Sequence, residues 1–286
     1  MTKLRVVASL PSPFSMSDYE PFMPLGGGKF GISLVTDVTP TEIEHVKKNC
    51  KRAFRARHSV GFCHSPKVKA VFFDMDATAI KEESVVALAT AVGKGVEVAR
   101  ITELAMAGEL DFEQALEERV ALLEGLTQEQ LIQVGKSLTL NDGILEFSDF
   151  CRKIGVPIFL ISGGFMQLAA GVSDSVGFTD FYASTLEEDA QGTLTGKTRG
   201  EVVDAKVKKQ WVLQKCEEMN ISPLDVAAVG DGANDILMLG AVGTPVGFSP
   251  KEVVLDHINA LNETRDHRML IPLLFGRSSD IERSIY

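Results

Sequence analysis

Val68-Lys69-Ala70-Val71-Phe72-Phe73 is a short, mostly apolar run that stops at once in Asp74-Met75-Asp76. A run of this length, cut off by acid, reads as a buried strand with its carboxylates at the carboxyl end. The punctuation recurs twice. Residues 156–161 form a second apolar run that meets Ser162-Gly163-Gly164, and residues 226–229 a third that meets Gly230-Asp231-Gly232. Between the last two, the pattern predicts a hairpin around Gly192 and a helix over 206–220. Strands alternating with helices imply a Rossmann-like parallel sheet covered by helices, an α/β fold. Ligands bind such sheets beyond the carboxyl ends of the strands, so the three loops are expected to converge.

The flanking zones differ in texture. Residues 82–154 read as helical throughout. Asp111-x-x-Gln114 and Thr127-x-x-Gln130 look like capping boxes, and Gly93, Gly108, Gly125 and Gly155 fall where helix C-caps belong. Residues 1–67 hold two β-rich runs, 4–10 and 30–38, and a helix signal at Thr39-Pro40-x-Glu42. The glycine triplet 26–28 lacks the Lys-Ser/Thr of a phosphate loop and reads as a flexible connection. The expected domains are a small N-terminal α/β appendage (1–67), a core (68–81 and 155–286) and a helical cap (82–154) inserted after the first core strand. The N-terminal zone is a candidate ligand-binding or dimerisation module, so a homodimer is the expected assembly to test.

Composition narrows the partners. The 286 residues are 45% hydrophobic and 24% charged, enough apolar material for a sizeable core. A net charge of −10 disfavours nucleic acid and anionic membranes. Lys47, Lys48, Lys51, Arg52, Arg55 and Arg57 form the one basic cluster, which reads as a solvated helix face. Cys50, Cys63, Cys151 and Cys216 make no C-x-x-C pair and suit a reducing compartment. With no leader pattern and no long apolar stretch, the expected location is cytoplasmic.

The loops carry the chemistry. In an extended chain Asp74 and Asp76 point the same way, provided that geometry persists past the strand end. Two close carboxylates repel, which favours a shared divalent cation or proton. Hard oxygen donors favour Mg²⁺ or Ca²⁺. One carboxylate can attack phosphorus and the other can move a proton. Asp231 and Asp235 can add two acids to the same region. Ser162-Gly163-Gly164 offers a hydroxyl and backbone N–H groups as a phosphate cradle. A site this acidic needs a further cation to admit a phosphate, and Lys206, Lys208 and Lys209 are all candidates by pattern.

At these residues the sequence resembles the haloacid dehalogenase superfamily. Asp74-Met75-Asp76-Ala77-Thr78 matches its first motif, Ser162-Gly163-Gly164 its second, Lys208 its third and Asp231–Asp235 its fourth. Within it, the sequence is similar to the phosphoserine phosphatase family over roughly residues 68–275. The resemblance implies a hydrolase that makes serine from phosphoserine, the last step of serine biosynthesis. It makes Asp74 the nucleophile that becomes phosphorylated, and Asp76 the acid for the leaving serine oxygen and then the base for water. Ser162, Gly163, Gly164 and Lys208 hold phosphoryl oxygens, and Asn234 contacts the phosphate. Mg²⁺ is held by Asp74, the carbonyl of Asp76 and Asp231, with Asp235 supporting its waters.

The cap speaks to substrate. Phe112, Leu116, Arg119 and Leu123 share one helical face, which sets a guanidinium on the apolar side. Such a charge must snorkel, pair with an acid such as Glu118 or Glu109, or meet a ligand carboxylate. The resemblance assigns Arg119 to the substrate carboxylate, Glu83 to its amino group, and Met106 and Phe112 to an apolar cover. Two departures stand out: Ala77 where the family often has Ser, and Ser184 where it commonly has Asn. The alternatives are another small phosphorylated amino acid such as phosphohomoserine, phosphoryl transfer to an alcohol, or a catalytically silent regulatory relative.

Overall fold

The computed structural model describes residues 2–10, 22–26, 29–38, 58–63, 68–106 and 112–275. Its strands are β1 (Thr2–Leu10), β2 (Phe22–Gly26), β3 (Lys29–Val38), β4 (His58–Cys63), β5 (Ala70–Phe73), β6 (Ile158–Phe165), β7 (Asp180–Glu188), β8 (Leu194–Arg199), β9 (Val226–Gly230), β10 (Thr244–Phe248) and β11 (Ala260–Asn262). Its helices are α1 (Ser84–Ala91), α2 (Gly95–Met106), α3 (Phe112–Ala121), α4 (Gln128–Ser137), α5 (Ile144–Lys153), α6 (Met166–Val176), α7 (Ala205–Glu218) and α8 (Ile236–Leu239). The chain divides into two compact units, one of residues 1–74, 141–159 and 205–286, the other of residues 75–140 and 160–204.

In the first unit the strand order is β2-β3-β1-β4-β11-β10-β9-β5. The four strands β11, β10, β9 and β5 run parallel, as the apolar runs ending in loop residues require. Val71 N–H reaches the carbonyl of Pro157 (3.1 Å), at the entrance to β6. Fully buried aromatics pack the sheet: Phe72 stacks on Phe159 at 4.9 Å, and Phe73 meets Phe147 edge-on at 5.5 Å.

The N-terminal strands extend this sheet. β1 pairs antiparallel with β3 and β4, and β4 pairs antiparallel with β11. The expected appendage is thus continuous with the core sheet through its backbone hydrogen bonds. The helix expected at Thr39, the basic cluster, Cys50, Gly27, Gly28, Gly108 and Asp111 lie outside the described residues.

The second unit has its own apolar cluster. Leu88, Val120, Leu123, Leu126, Phe165, Leu168 and Leu194 are buried together. Truncating fully buried Leu123 to alanine should cost about 2–5 kcal/mol. Thr127 caps α4 in a complete capping box with Gln130, as expected. Gly125 and Leu126 exchange backbone bonds with Leu194, tying the turn before α4 to β8. The expected cap and the compact unit have different edges. Helix α5 belongs to the first unit, while β7, β8 and α6 join α1–α4, because their apolar residues share that cluster.

Candidate active site

In the first unit, Asp74 directly follows β5 and keeps its register. Its N–H donates to the Val229 carbonyl of β9 at 2.9 Å. Asp231 directly follows β9, so two neighbouring parallel strands deliver an acid each at the same end. Both are buried.

Helix α7 supplies Lys208, whose side chain is wholly buried. Its Nζ donates to Asp74 Oδ1 at 2.5 Å and to Asp235 Oδ1 at 2.8 Å. Burial alone would push Lys208 toward its neutral form. The charges of Asp235 and Asp74 outweigh that and raise its pKa above the usual lysine value, so the ammonium is kept. Pattern alone left Lys206, Lys208 and Lys209 equal; the fold puts Lys208 on the acids.

The fourth loop is built around Asp235. Its Oδ2 accepts N–H groups from Asp231 and Gly232, each at 3.1 Å. A side chain at Gly230 would strike this carboxylate, so the glycine makes the room. Asn234 is half-buried beside Gly232.

One carboxylate oxygen each from Asp74, Asp231 and Asp235 lie within 4.8 Å of one another. Three carboxylates and one buried ammonium leave two negative charges, and the donors are all hard oxygen. That set fits a divalent cation such as Mg²⁺. Both Asp235 oxygens already accept hydrogen bonds, which suits it to orienting its neighbours. Lys251, which the sequence did not single out, reaches within 3.6 Å of Asp231 Oδ2 from a side chain 60% exposed. Solvent screens that pair.

In the second unit, the extended geometry holds through Asp76 (φ −67°, ψ 135°) and ends at Ala77, which is left-handed at φ 53°. The turn is closed by Ala77 N–H on the Glu82 carbonyl and Ile80 N–H on that of Met75. Asp76 is half-buried. Its Oδ2 accepts the hydroxyl of Ser84 at 2.8 Å, a residue the sequence gave no reason to choose. Glu83 caps the backbone of α1 and is exposed.

Arg119 lies half-buried on α3, on the side of buried Leu116 and Val120. Its Nε donates to the carbonyl of Ala115 at 2.9 Å. Burial draws its pKa below the usual arginine value, and the charges of Glu83 and Asp76 oppose that. Of the other acids named from the sequence, Glu118 is exposed and Glu109 lies outside the described residues, as do the side chains of Met106 and Phe112.

The expected loop at Ser162 is instead the continuation of β6, which runs to Phe165. Ser162 is buried, Gly163 half-buried, and Gly164 N–H donates to Ser162 Oγ at 2.9 Å. Ser184 is fully buried and its hydroxyl accepts Val203 N–H at 2.9 Å, a structural use of the position.

The comparisons with known proteins agree with this chemistry. The model of the haloacid dehalogenase-like hydrolase family matches residues 68–243. A probable phosphoserine phosphatase of Schizosaccharomyces pombe is 38% identical over 191 residues, covering 66% of this chain. The chain spans 64% of that relative, less than two thirds of its length. A phosphoserine phosphatase of Polaromonas sp. is 37% identical over 209 residues, covering 71% of this chain and 88% of its own. A solved phosphoserine phosphatase with a phospho-aspartyl intermediate analogue aligns at TM-score 0.67 and 32% identity, over 72% of this chain and 98% of its own.

Proposed function

The chain belongs to the haloacid dehalogenase-like hydrolases, and from that premise we propose that it hydrolyses O-phosphoserine to serine and phosphate through an aspartyl-phosphate. The observation that carries this reading is the buried Lys208 ammonium bound to both Asp74 and Asp235, with Asp231 beside them. It is a fixed electrostatic setting for a phosphoryl group. The relatives named above supply the substrate.

In the proposed reaction a carboxylate oxygen of Asp74 attacks phosphorus, and the bond to the serine oxygen breaks. Asp76 gives that oxygen its proton. Asp76 then takes a proton from water as the water oxygen attacks the phosphoaspartate, releasing phosphate and restoring Asp74. Lys208 balances charge on the phosphoryl oxygens, and Ser162, Gly163, Gly164 and Asn234 bind them. Asp74, Asp231 and the Asp76 carbonyl would hold Mg²⁺, with Asp235 in support; when bound, the ion neutralises oxygen charge and aligns the reactants. Arg119 grips the substrate carboxylate, Glu83 its amino group, and Met106 and Phe112 cover it.

In the same reading the enzyme acts on a small molecule in the cytoplasm, with a homodimer as the assembly to test. The two free, buried thiols Cys151 and Cys216 suit a reducing compartment, and among the described residues no helix is long and apolar enough to cross a membrane. Light scattering tests the dimer.

The deciding experiment is a kinetic screen of phosphoserine, phosphothreonine and phosphohomoserine, with Mg²⁺ and with chelator. Phosphoserine should lead on kcat/KM, and chelation should abolish turnover. Preference for phosphohomoserine would move the substrate. Inertness toward every phosphomonoester would overturn the reading.

A further inference from the structure

We infer that Ser84 is a positioning residue for the proton-transferring carboxylate of Asp76. The inference rests on the phosphatase reading above and adds a residue to it. Ser84 is the first residue of α1, one position past the N-cap residue Glu83, and the N-cap makes no side-chain capping bond. The Ser84 hydroxyl donates to Asp76 Oδ2 at 2.8 Å, from a side chain with no solvent exposure.

Gly164 leaves room for that hydroxyl. A Cβ at Gly164 would come within 2.6 Å of Ser84 Oγ, 2.9 Å of Met75 Cε and 3.0 Å of Ser162 Oγ. A side chain at position 164 would therefore crowd the Ser84 hydroxyl, and glycine leaves it room. The bond acts on a half-buried residue just before the backbone turns into the left-handed region at Ala77. A carboxylate free to rotate about its Cβ–Cγ bond presents either oxygen to the leaving group. The Ser84 bond to Oδ2 restrains that rotation and sets which edge of the carboxylate faces the leaving group. Misorientation of a proton donor costs rate without costing binding.

Leaving-group dependence separates this role from a merely structural one. Serine leaves as a poor alkoxide that requires protonation; an aryl oxide such as 4-nitrophenolate does not. The phosphoryl-transfer step is measured by rapid-quench trapping of the phosphoenzyme with phosphoserine and with 4-nitrophenyl phosphate. Ser84→Ala should slow that step about tenfold more for phosphoserine than for the aryl ester, the worth of about one charge-assisted hydrogen bond. KM for phosphoserine should change little. Ser84→Thr, which restores the hydroxyl, should recover most of the rate, and Ser84→Cys, a weaker donor of similar volume, should fall between. The aryl ester reports in every variant whether the nucleophile's setting is intact. Equal slowing on both esters, or no slowing, overturns the role of Ser84 while leaving the phosphatase standing. A wild-type enzyme inert toward both esters overturns the phosphatase reading, and this inference with it.

Discussion

Asp74 and Asp76 are two residues apart and live in opposite surroundings. Asp74 is buried and clamped by an ammonium that is itself wholly buried, so its setting is dense in charge and closed to water. Asp76 is half-buried and held by a neutral hydroxyl, with the charge of a half-buried arginine acting across the same unit. A group that must meet phosphorus gains from fixed charges that need no rearrangement. A group that must carry a proton in both directions gains from a weaker hold. The contrast teaches that the fold gives two carboxylates of one loop different environments, as the two roles proposed for them would need.

The largest effects should fall on the Asp74 side. Asp74→Asn keeps the volume and should lower turnover by more than about 10⁴-fold while thermal unfolding stays cooperative. Substantial residual turnover in steady-state assays would remove the asymmetry between the two acids. Next comes Lys208→Met, which leaves Asp74 and Asp235 buried without their ammonium. It should destabilise the fold by about 3–5 kcal/mol in denaturant titration and abolish activity. A stable Lys208→Met would mean that the clamp matters less than its burial suggests.

On the other side the effects should be selective. Arg119→Ala should weaken kcat/KM for phosphoserine on the order of 100-fold more than for an aryl phosphate, since only phosphoserine has a carboxylate to lose. Equal losses would take Arg119 out of substrate choice. The smallest effect belongs to the turn that separates the two acids. Ala77 sits at φ 53°, a conformation that costs an L-residue roughly 1–2 kcal/mol. Glycine relieves that cost and adds unfolded-chain entropy of about 0.5–1 kcal/mol. Ala77→Gly should therefore raise stability by no more than about 1.5 kcal/mol, measured by thermal unfolding.

Much of the parallel core was legible because buried strands announce themselves as apolar runs. The runs at 68–73 and 226–229 became β5 and β9 with acids at their ends. β2 and β10 were hidden by Pro24 and Pro245, which argue against strands in a sequence. β2 resolves the conflict by lying at the sheet's edge; β10 keeps its proline between two parallel neighbours. In the site, the acids were legible from their loops, whereas the choice of Lys208 needed the family pattern or the fold. Ser84 was not legible at all. Its hydroxyl lies beside Gly164, eighty positions along the chain, and no local pattern encodes that.

The order in which the chain is made gives the two acids different histories. Ser84 follows Asp76 by eight residues, so that hydrogen bond can close almost as soon as the segment leaves the ribosome. Lys208 follows Asp74 by 134 residues. At synthesis rates of about 5–20 residues per second, that is a delay of roughly 7–27 s. Throughout it the nascent Asp74 lacks its ammonium, and a chain released before residue 208 never acquires one.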